Sequence, residues 1–274
     1  MKLKTNLCTF QIMNNVEFSP LIRTAMEAVL KAGDVIAKGF GTDFHKELKV
    51  GIQNYVTEYD YAAEKIIIDH LKKSYPTHAF LAEESGSQDG GEVLWIIDPL
   101  DGTTNFAHKI PFFSVSVGAQ KNNEMICGII YQPMTKELFV AEKGKGAYLN
   151  GQRLRVSQTE VFVGGLGSTA FPKNIHENPL NCIDHFTSIL RKGTIIRNMG
   201  STAMNMAYVA AGSFDAYWAV ALQPWDLAAA VLLIEEAGGK VTTYKGDKYA
   251  ILSGFPLVAT NGAIHKEVLS YLQL

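Results

Sequence analysis

Two aspartates three residues apart, Asp98 and Asp101, close an apolar run that begins Trp95-Ile96-Ile97, and Gly102, Thr103, Thr104, Asn105 and Phe106 follow at once. A buried strand that ends in two carboxylates carries a large desolvation cost unless a cation or hydrogen bonds offset it. Hard oxygen ligands of this type suit Mg²⁺, which is commonly held by one or two carboxylates together with substrate phosphate. A glycine directly after them lets the backbone approach a ligand, and neighbouring amide N–H groups can receive phosphate oxygens. The segment points to metal-assisted phosphate chemistry. Asp-Pro and Asp-Gly are also ordinary turn dipeptides, so the reading leans on acidic groups elsewhere in the chain.

Glu83 and Glu84 follow a predicted strand at 78–82, Asp226 follows Pro224-Trp225 where an apolar helix begins, and Asp60 lies in the first turn of another helix. Taken singly, each has a plain structural role: a solvated loop pair, an N-cap, a favourable charge in a first turn. Lys49 could reach a carboxylate or phosphate, and His108 reads as a polar loop residue. Four of these acids fall where a strand ends or a helix starts, and such termini are where layered folds build sites.

The elements that must position them are legible as periodicities. Ser19-Pro20 starts a helix on which Ile22, Ala25, Val29, Ala32 and Ile36 share a face, and Gly39 and Gly41 end it. A second helix is predicted over 58–74 with Ala62, Ile66, Ile67 and Leu71 inward. Alternating stretches at 113–119, 125–132 and 137–141 read as antiparallel strands, and Asn150-Gly151 as a hairpin turn. Gly144-Lys145-Gly146 and Gly164-Gly165-Leu166-Gly167 read as turns, because no Gly-Lys-Ser/Thr completes a phosphate loop. Helices over 181–190, 201–211, 225–237 and 263–272 alternate with strands at 194–197, 214–221, 240–243 and 257–259. The pattern predicts one α+β unit of layered sheets over 17–274, its two halves dividing near residue 160, with residues 1–16 as an extension.

An apolar share of 47% with 19% charged residues describes an ordinary globular chain with ample core. A formal net charge of −2 gives no reason to expect electrostatic attraction to nucleic acid or an anionic membrane. Cys8, Cys127 and Cys182 form neither a disulfide framework nor a zinc motif, which suits a reducing cytoplasm. No signal-peptide core and no membrane-length apolar run is present in the sequence.

Beyond these readings, the motif order resembles the inositol monophosphatase family, in the Mg²⁺-dependent, lithium-sensitive sugar-phosphatase superfamily that also holds fructose-1,6-bisphosphatases. The resemblance rests on 56–60 (VTEYD), 82–85 (AEES), 95–106 (WIIDPLDGTTNF), 143–151 (KGKGAYLNG), 200–203 (GSTA) and 224–229 (PWDLAA). It implies an αβαβα sandwich, two to three Mg²⁺ ions, a small phosphomonoester substrate and a homodimer. Glu83, Asp98 and the Leu100 carbonyl would hold one ion, and Asp98, Asp101 and Asp226 a second. Glu83 would help hold a third through waters. Gly102 and Thr103 would offer N–H groups to phosphate, and Thr103, hydrogen-bonded to Asp60, would orient the attacking water. Glu84 and Lys49 would support that set from behind. The implied reaction is in-line attack of a metal-activated water.

Substrate choice is less determined. Thr104-Asn105 is similar to the inositol-monophosphatase branch, but the family's polyol-binding glutamate falls at Ala219, and Thr202 stands where an alanine is frequent. An alanine cannot accept hydrogen bonds from ring hydroxyls, and losing a built polar contact relaxes discrimination. Inositol 1-phosphate is the first expectation, with fructose 1,6-bisphosphate, NADP⁺ or a broader phosphomonoester range as the alternative. An RNA- or RNA-polymerase-associated regulator is the alternative of another class.

Overall fold

Pro20 opens α1 (Pro20–Gly39), where a missing N–H costs nothing, and Ile22, Ala25, Val29, Ala32 and Ile36 are all buried along its length. The Ser19 side chain makes no capping bond; its backbone N–H donates instead to Glu142 at 3.0 Å. The computed structural model describes residues 16–44, 46–48 and 55–273. Lys49 and residues 1–15, including Cys8, therefore lie outside the described residues.

The chain continues through β1 (Lys46–Leu48), β2 (Tyr55–Thr57), α2 (Glu58–Ser74), β3 (Ala79–Ala82), β4 (Gly86–Gln88) and β5 (Val93–Asp101). A single turn of helix, α3 (Thr103–Ala107), precedes β6 (Ser114–Lys121), β7 (Glu124–Gln132), β8 (Glu137–Glu142), β9 (Gly146–Leu149) and β10 (Gln152–Arg153). The second half runs β11 (Leu166–Ala170), α4 (Cys182–Arg191), β12 (Ile195–Arg197), α5 (Thr202–Ala210), β13 (Ala216–Ala219) and α6 (Pro224–Glu236). It closes with β14 (Lys240–Thr243), β15 (Leu257–Thr260) and α7 (His265–Tyr271).

Strands β3 to β10 make one eight-stranded sheet in the order β10-β9-β8-β7-β6-β5-β3-β4, and β11 to β15 a five-stranded sheet in the order β12-β11-β13-β15-β14. Helices α1 and α2 cover one face of the larger sheet. Helices α5 and α6 fill the space between the two sheets, and α4 and α7 cover the far side of the smaller one. The fold is thus an α+β sandwich of five layers, αβαβα. Close approach of α6 to the larger sheet depends on Gly128, where a Cβ would stand 2.3 Å from the Ala229 carbonyl oxygen. The Asn150-Gly151 turn is a hairpin, with both residues at positive φ, 46° and 80°.

Two sequence expectations shift. On α2, Ile67 and Leu71 are buried as expected, but Ala63 and Ile68, together with Asp60 and Glu64, complete the inward face, while Ala62 and Ile66 are half-buried. Leu166 and Gly167 belong to β11, not to a turn; β11 is an interior strand parallel to both β12 and β13. A glycine pair just before it hides the strand from a turn-based reading.

Candidate active site

The parallel pairing of β3 with β5 sets the first contact of the site. Ala82 is opposite Ile97, and the Glu83 N–H donates to the Ile97 carbonyl at 3.2 Å. The next residue on each strand is acidic, so Glu83 and Asp98 emerge side by side. A register shift between Asp98 and Asp101 against β6 then turns Asp101 to the same end of the sheet. Gly102, at φ 97°, carries the chain from β5 into α3; a Cβ there would stand 3.1 Å from the Phe112 carbonyl oxygen and 3.2 Å from that of Gly200.

The carboxylates are held differently. Asp101 sits at the N-terminus of α5, where its oxygens accept the N–H groups of Thr202 (3.2 Å) and Ala203 (2.8 Å) and the Ser201 hydroxyl. Unpaired N–H groups and the helix dipole both favour an anion at that point. Asp226, in the first turn of α6, accepts the Gln223 N–H at 2.8 Å. Asp98 accepts the Leu100 N–H at 3.0 Å. Asp60 accepts from the Thr57 N–H (2.8 Å), the Thr57 hydroxyl (2.6 Å) and the Thr103 hydroxyl (3.0 Å). The Thr103 hydroxyl is also 2.9 Å from the Leu100 carbonyl oxygen, so its one proton has two acceptors to choose between.

Burial pushes all four aspartates upward. Asp98 is raised well above the usual carboxylate range by burial first and then by the negative charges of Glu83, Asp101 and Asp226. Asp226 is pushed up to about 8 by burial against the pull of its Gln223 bond, with Asp101 and Glu83 adding and Lys173 opposing. Burial carries Asp101 up to about 6 despite its three hydrogen bonds to α5. It carries Asp60 to about 6 despite the bonds from Thr57 and Thr103. Like charges are thus gathered in a dry place, and a cation is what would relieve them.

The donor set fits Mg²⁺: carboxylates and one carbonyl, with neither thiolate nor imidazole among them. Asp101 keeps one lone pair on Oδ1 beside the Thr202 bond, and the Leu100 carbonyl keeps one beside the Thr103 bond. As the side chains lie, no three acidic, imidazole or thiol groups among the described residues enclose a point that an ion could occupy. The groups share a field, and an ion would have to draw them inward.

The remaining candidates fall into place around this set. Glu84 is half-buried, and its N–H and that of Ser85 donate to Glu64 at 2.8 and 2.9 Å. Thr202 is buried with its hydroxyl 3.1 Å from that of Tyr217. Ala219 ends β13, level with Ala170 of β11 and Leu257 of β15, and is buried. His108 is exposed at the end of α3.

Sequence reasoning leaves out three groups that hold the site together. Ser201 and Glu64 anchor Asp101 and the Glu84-Ser85 backbone, and Asn105 donates to the carbonyls of Phe112 and Met199, both at 2.7 Å, tying α3 to the loop before α5. A signal existed for two of them. A serine just before a helix is an N-cap candidate, and Glu64 falls at i+4 from Asp60 on one helix face.

A model of the inositol monophosphatase family matches residues 17–274. The chain belongs to that family. Curated relatives include the Nus factor SuhB of Pseudomonas aeruginosa, 39% identical over 261 residues, covering 93% of this chain and 96% of the relative. The inositol-1-monophosphatase of Rhizobium meliloti is 38% identical over 258 residues, covering 93% and 97%. Among solved structures, the extragenic suppressor protein suhB from Bartonella henselae superposes with a TM-score of 0.88 at 36% identity, covering 93% of this chain and 99% of its own. Membership supports a phosphatase, in a family that is generally Mg²⁺-dependent. No helix among the described residues is long and apolar enough to cross a membrane.

Proposed function

We propose that this protein is a Mg²⁺-dependent phosphomonoesterase acting in the cytoplasm on a small phosphorylated polyol or sugar, with inositol 1-phosphate as the foremost substrate. The observation that carries the reading is the Thr103–Asp60 contact at 3.0 Å, in a chain whose other candidate acids stand after β3, in β5 and at the start of α6. That contact joins a hydroxyl at the start of α3 to a buried carboxylate of α2.

Glu83, Asp98, the Leu100 carbonyl, Asp101 and Asp226 would hold the ions. Mg²⁺, when bound, supplies charge against the phosphate and lowers the pKa of water. The chain's own share is positioning and proton handling. Ionised Asp60, fixed by two bonds from Thr57, takes the Thr103 proton into its hydrogen bond. That leaves the Thr103 oxygen lone pairs facing outward to accept a hydrogen bond from the attacking water and orient it in line with phosphorus. The N–H groups of Gly102 and Thr103 would receive phosphate oxygens as the chain turns into α3.

Ala219 supports a wider substrate range, because a methyl group at the end of β13 offers no acceptor to a polyol hydroxyl. Phosphate release from inositol 1-phosphate, fructose 1,6-bisphosphate and NADP⁺, with Mg²⁺ and with EDTA, tests both parts. EDTA-sensitive release supports the mechanism, and the spread across the three measures the specificity. Inhibition by lithium would accompany it. Silence on every substrate would overturn the reading. Relatives named Nus factor SuhB favour a second reading, an RNA- or RNA-polymerase-associated regulator. Capture of RNA polymerase by an Asp98→Asn variant as strongly as by the unaltered protein would support it. Sedimentation would test the homodimer.

A further inference from the structure

The register of the larger sheet sets two serines against the two aspartates of β5. In the antiparallel pairing of β5 with β6, Ser116 is opposite Asp98 and Ser114 is opposite Asp101. Residues directly opposite one another in such a pair share a face, with Cβ atoms about 4.5–5.5 Å apart. Here that face looks into the middle of the sandwich. Ile96, two residues before Asp98, packs with α5 and α6, whereas Val115 and Val117 pack under α1 and α2.

Both serines are sealed, at 0% and 1% exposure, and neither hydroxyl has a hydrogen-bond partner among the described residues. Buried polar groups are nearly always paired, and one left unpaired carries its desolvation cost in full. Neither oxygen meets bulk solvent, and the acceptor that each faces across the ladder is a carboxylate.

The two carboxylates differ in what they already hold. Asp101 accepts the Ser201 hydroxyl and the N–H groups of Thr202 and Ala203, all from the start of α5. Asp60 likewise accepts hydroxyls, from Thr57 and Thr103. Asp98 accepts the Leu100 N–H at Oδ1 and no hydroxyl among the described residues. A serine oxygen is one bond from its Cβ and a carboxylate oxygen is two. A turn of both side chains between staggered positions therefore closes a Cβ separation of about 5 Å to an O–H···O contact of about 2.7 Å.

We infer that Ser116 is a positioning residue for the cation site: when Asp98 turns onto a divalent cation, the Ser116 hydroxyl donates to it and holds it there. The inference rests on the proposed role of Asp98 as a metal ligand. Ligating carboxylates are themselves hydrogen-bonded from behind, and such partners fix the ligand's orientation. As the side chains lie, no three acids among the described residues enclose a point for an ion, and Ser116 is unpaired. One side-chain movement answers both. Ser114 has no such task, because α5 already holds Asp101.

Ser116→Ala and Ser114→Ala separate this role from plain packing, since each removes one unpaired buried hydroxyl from the same face of β6. By titration calorimetry, Ser116→Ala should bind Mg²⁺ about 10- to 100-fold more weakly than the unaltered protein, the scale of losing a partner behind a ligand. In EDTA its thermal midpoint should hold or rise, because an unpaired hydroxyl has gone, and the rise on adding Mg²⁺ should shrink. Ser114→Ala should keep the Mg²⁺ affinity of the unaltered protein. Unchanged affinity in Ser116→Ala overturns the inference, and so does an equal loss in both variants. A lowered midpoint of Ser116→Ala in EDTA also overturns it, because the hydroxyl would then serve the fold without a cation. Absence of Mg²⁺ binding by the unaltered protein would overturn the role of Asp98 itself, and this inference with it.

Discussion

Glu64 on α2 and Asp98 at the end of β5 are both buried carboxylates, 5% and 2% exposed, and they lie in neighbouring elements of one molecule. Glu64 spends both oxygens on backbone N–H groups of Glu84 and Ser85, at 2.8 and 2.9 Å. Asp98 accepts the Leu100 N–H and faces three further acids, Glu83, Asp101 and Asp226. One acid closes a loop; the other stands in a field of like charge that folding did nothing to relieve. The lesson is that burial of a carboxylate says little until its partners are counted. Satisfied by N–H donors it is a strut, and surrounded by its own kind it keeps a repulsion that the fold leaves in place.

The sharpest way to break this contrast is Asp98→Asn. It should lower turnover by about 10²- to 10³-fold, the scale of losing one charge-stabilising group. The thermal midpoint in EDTA should rise, because repulsion with three neighbours is removed. Near-normal turnover, or a destabilised metal-free protein, would remove Asp98 from the functional side of the comparison. Thr103→Ala should cost about 10²-fold in turnover, in the range of proton-transfer and water-positioning groups, with Mg²⁺ affinity from titration calorimetry little changed. An unaltered turnover number would reduce the Thr103–Asp60 contact to a structural one.

Glu64→Ala should do the reverse of Asp98→Asn. It leaves two N–H groups without acceptors and should cost about 2–3 kcal/mol of stability in denaturant unfolding. A variant as stable as the parent would show that Glu64 is no strut. A further expected effect is on pH dependence. The folded-state values of Asp60, Asp101 and Asp226 lie at about 6, 6 and 8, above the usual carboxylate value of 3.8, and Asp98 is raised further by burial and its acidic neighbours. The folded protein therefore binds more protons than the unfolded chain between about pH 4 and pH 8. Its stability in EDTA should be fully present near pH 4 and fall as the pH rises through that window. Mg²⁺ should restore the midpoint at pH 8 and change it little at pH 5. A midpoint in EDTA that rises from pH 5 to pH 8 would contradict the crowding of Asp98 and its neighbours.

Much of this was open to reading from residue order. The periodicity of α1, the β5–α3 signature, the Asn150-Gly151 hairpin and the acids at 60, 83, 98, 101 and 226 are local patterns, and local patterns survive in a linear string. Family membership is of the same kind, since motif order lies in the sequence. Some features were not legible: the burial of Ala63 and Ile68 in place of Ala62 and Ile66 on α2, β11 hidden behind two glycines, and Ser201 as an anchor for Asp101. Each depends on what a side chain meets after distant segments pack, and Ser201 and Asp101 are 100 residues apart along the chain.

By itself the sequence determined which groups are available, because carboxylates, a hydroxyl and a glycine at short spacing are fixed in the linear order. Tertiary structure decided which acids are gathered together and which are satisfied by backbone donors. The parallel pairing of β3 with β5 brings Glu83 beside Asp98, while the rise of α2 takes Glu64 to a backbone and Asp60 to Thr103. The physical reason is that an isolated carboxylate in water has one character, set by its own pKa. In a folded protein its character is set by the donors, charges and solvent that packing leaves around it.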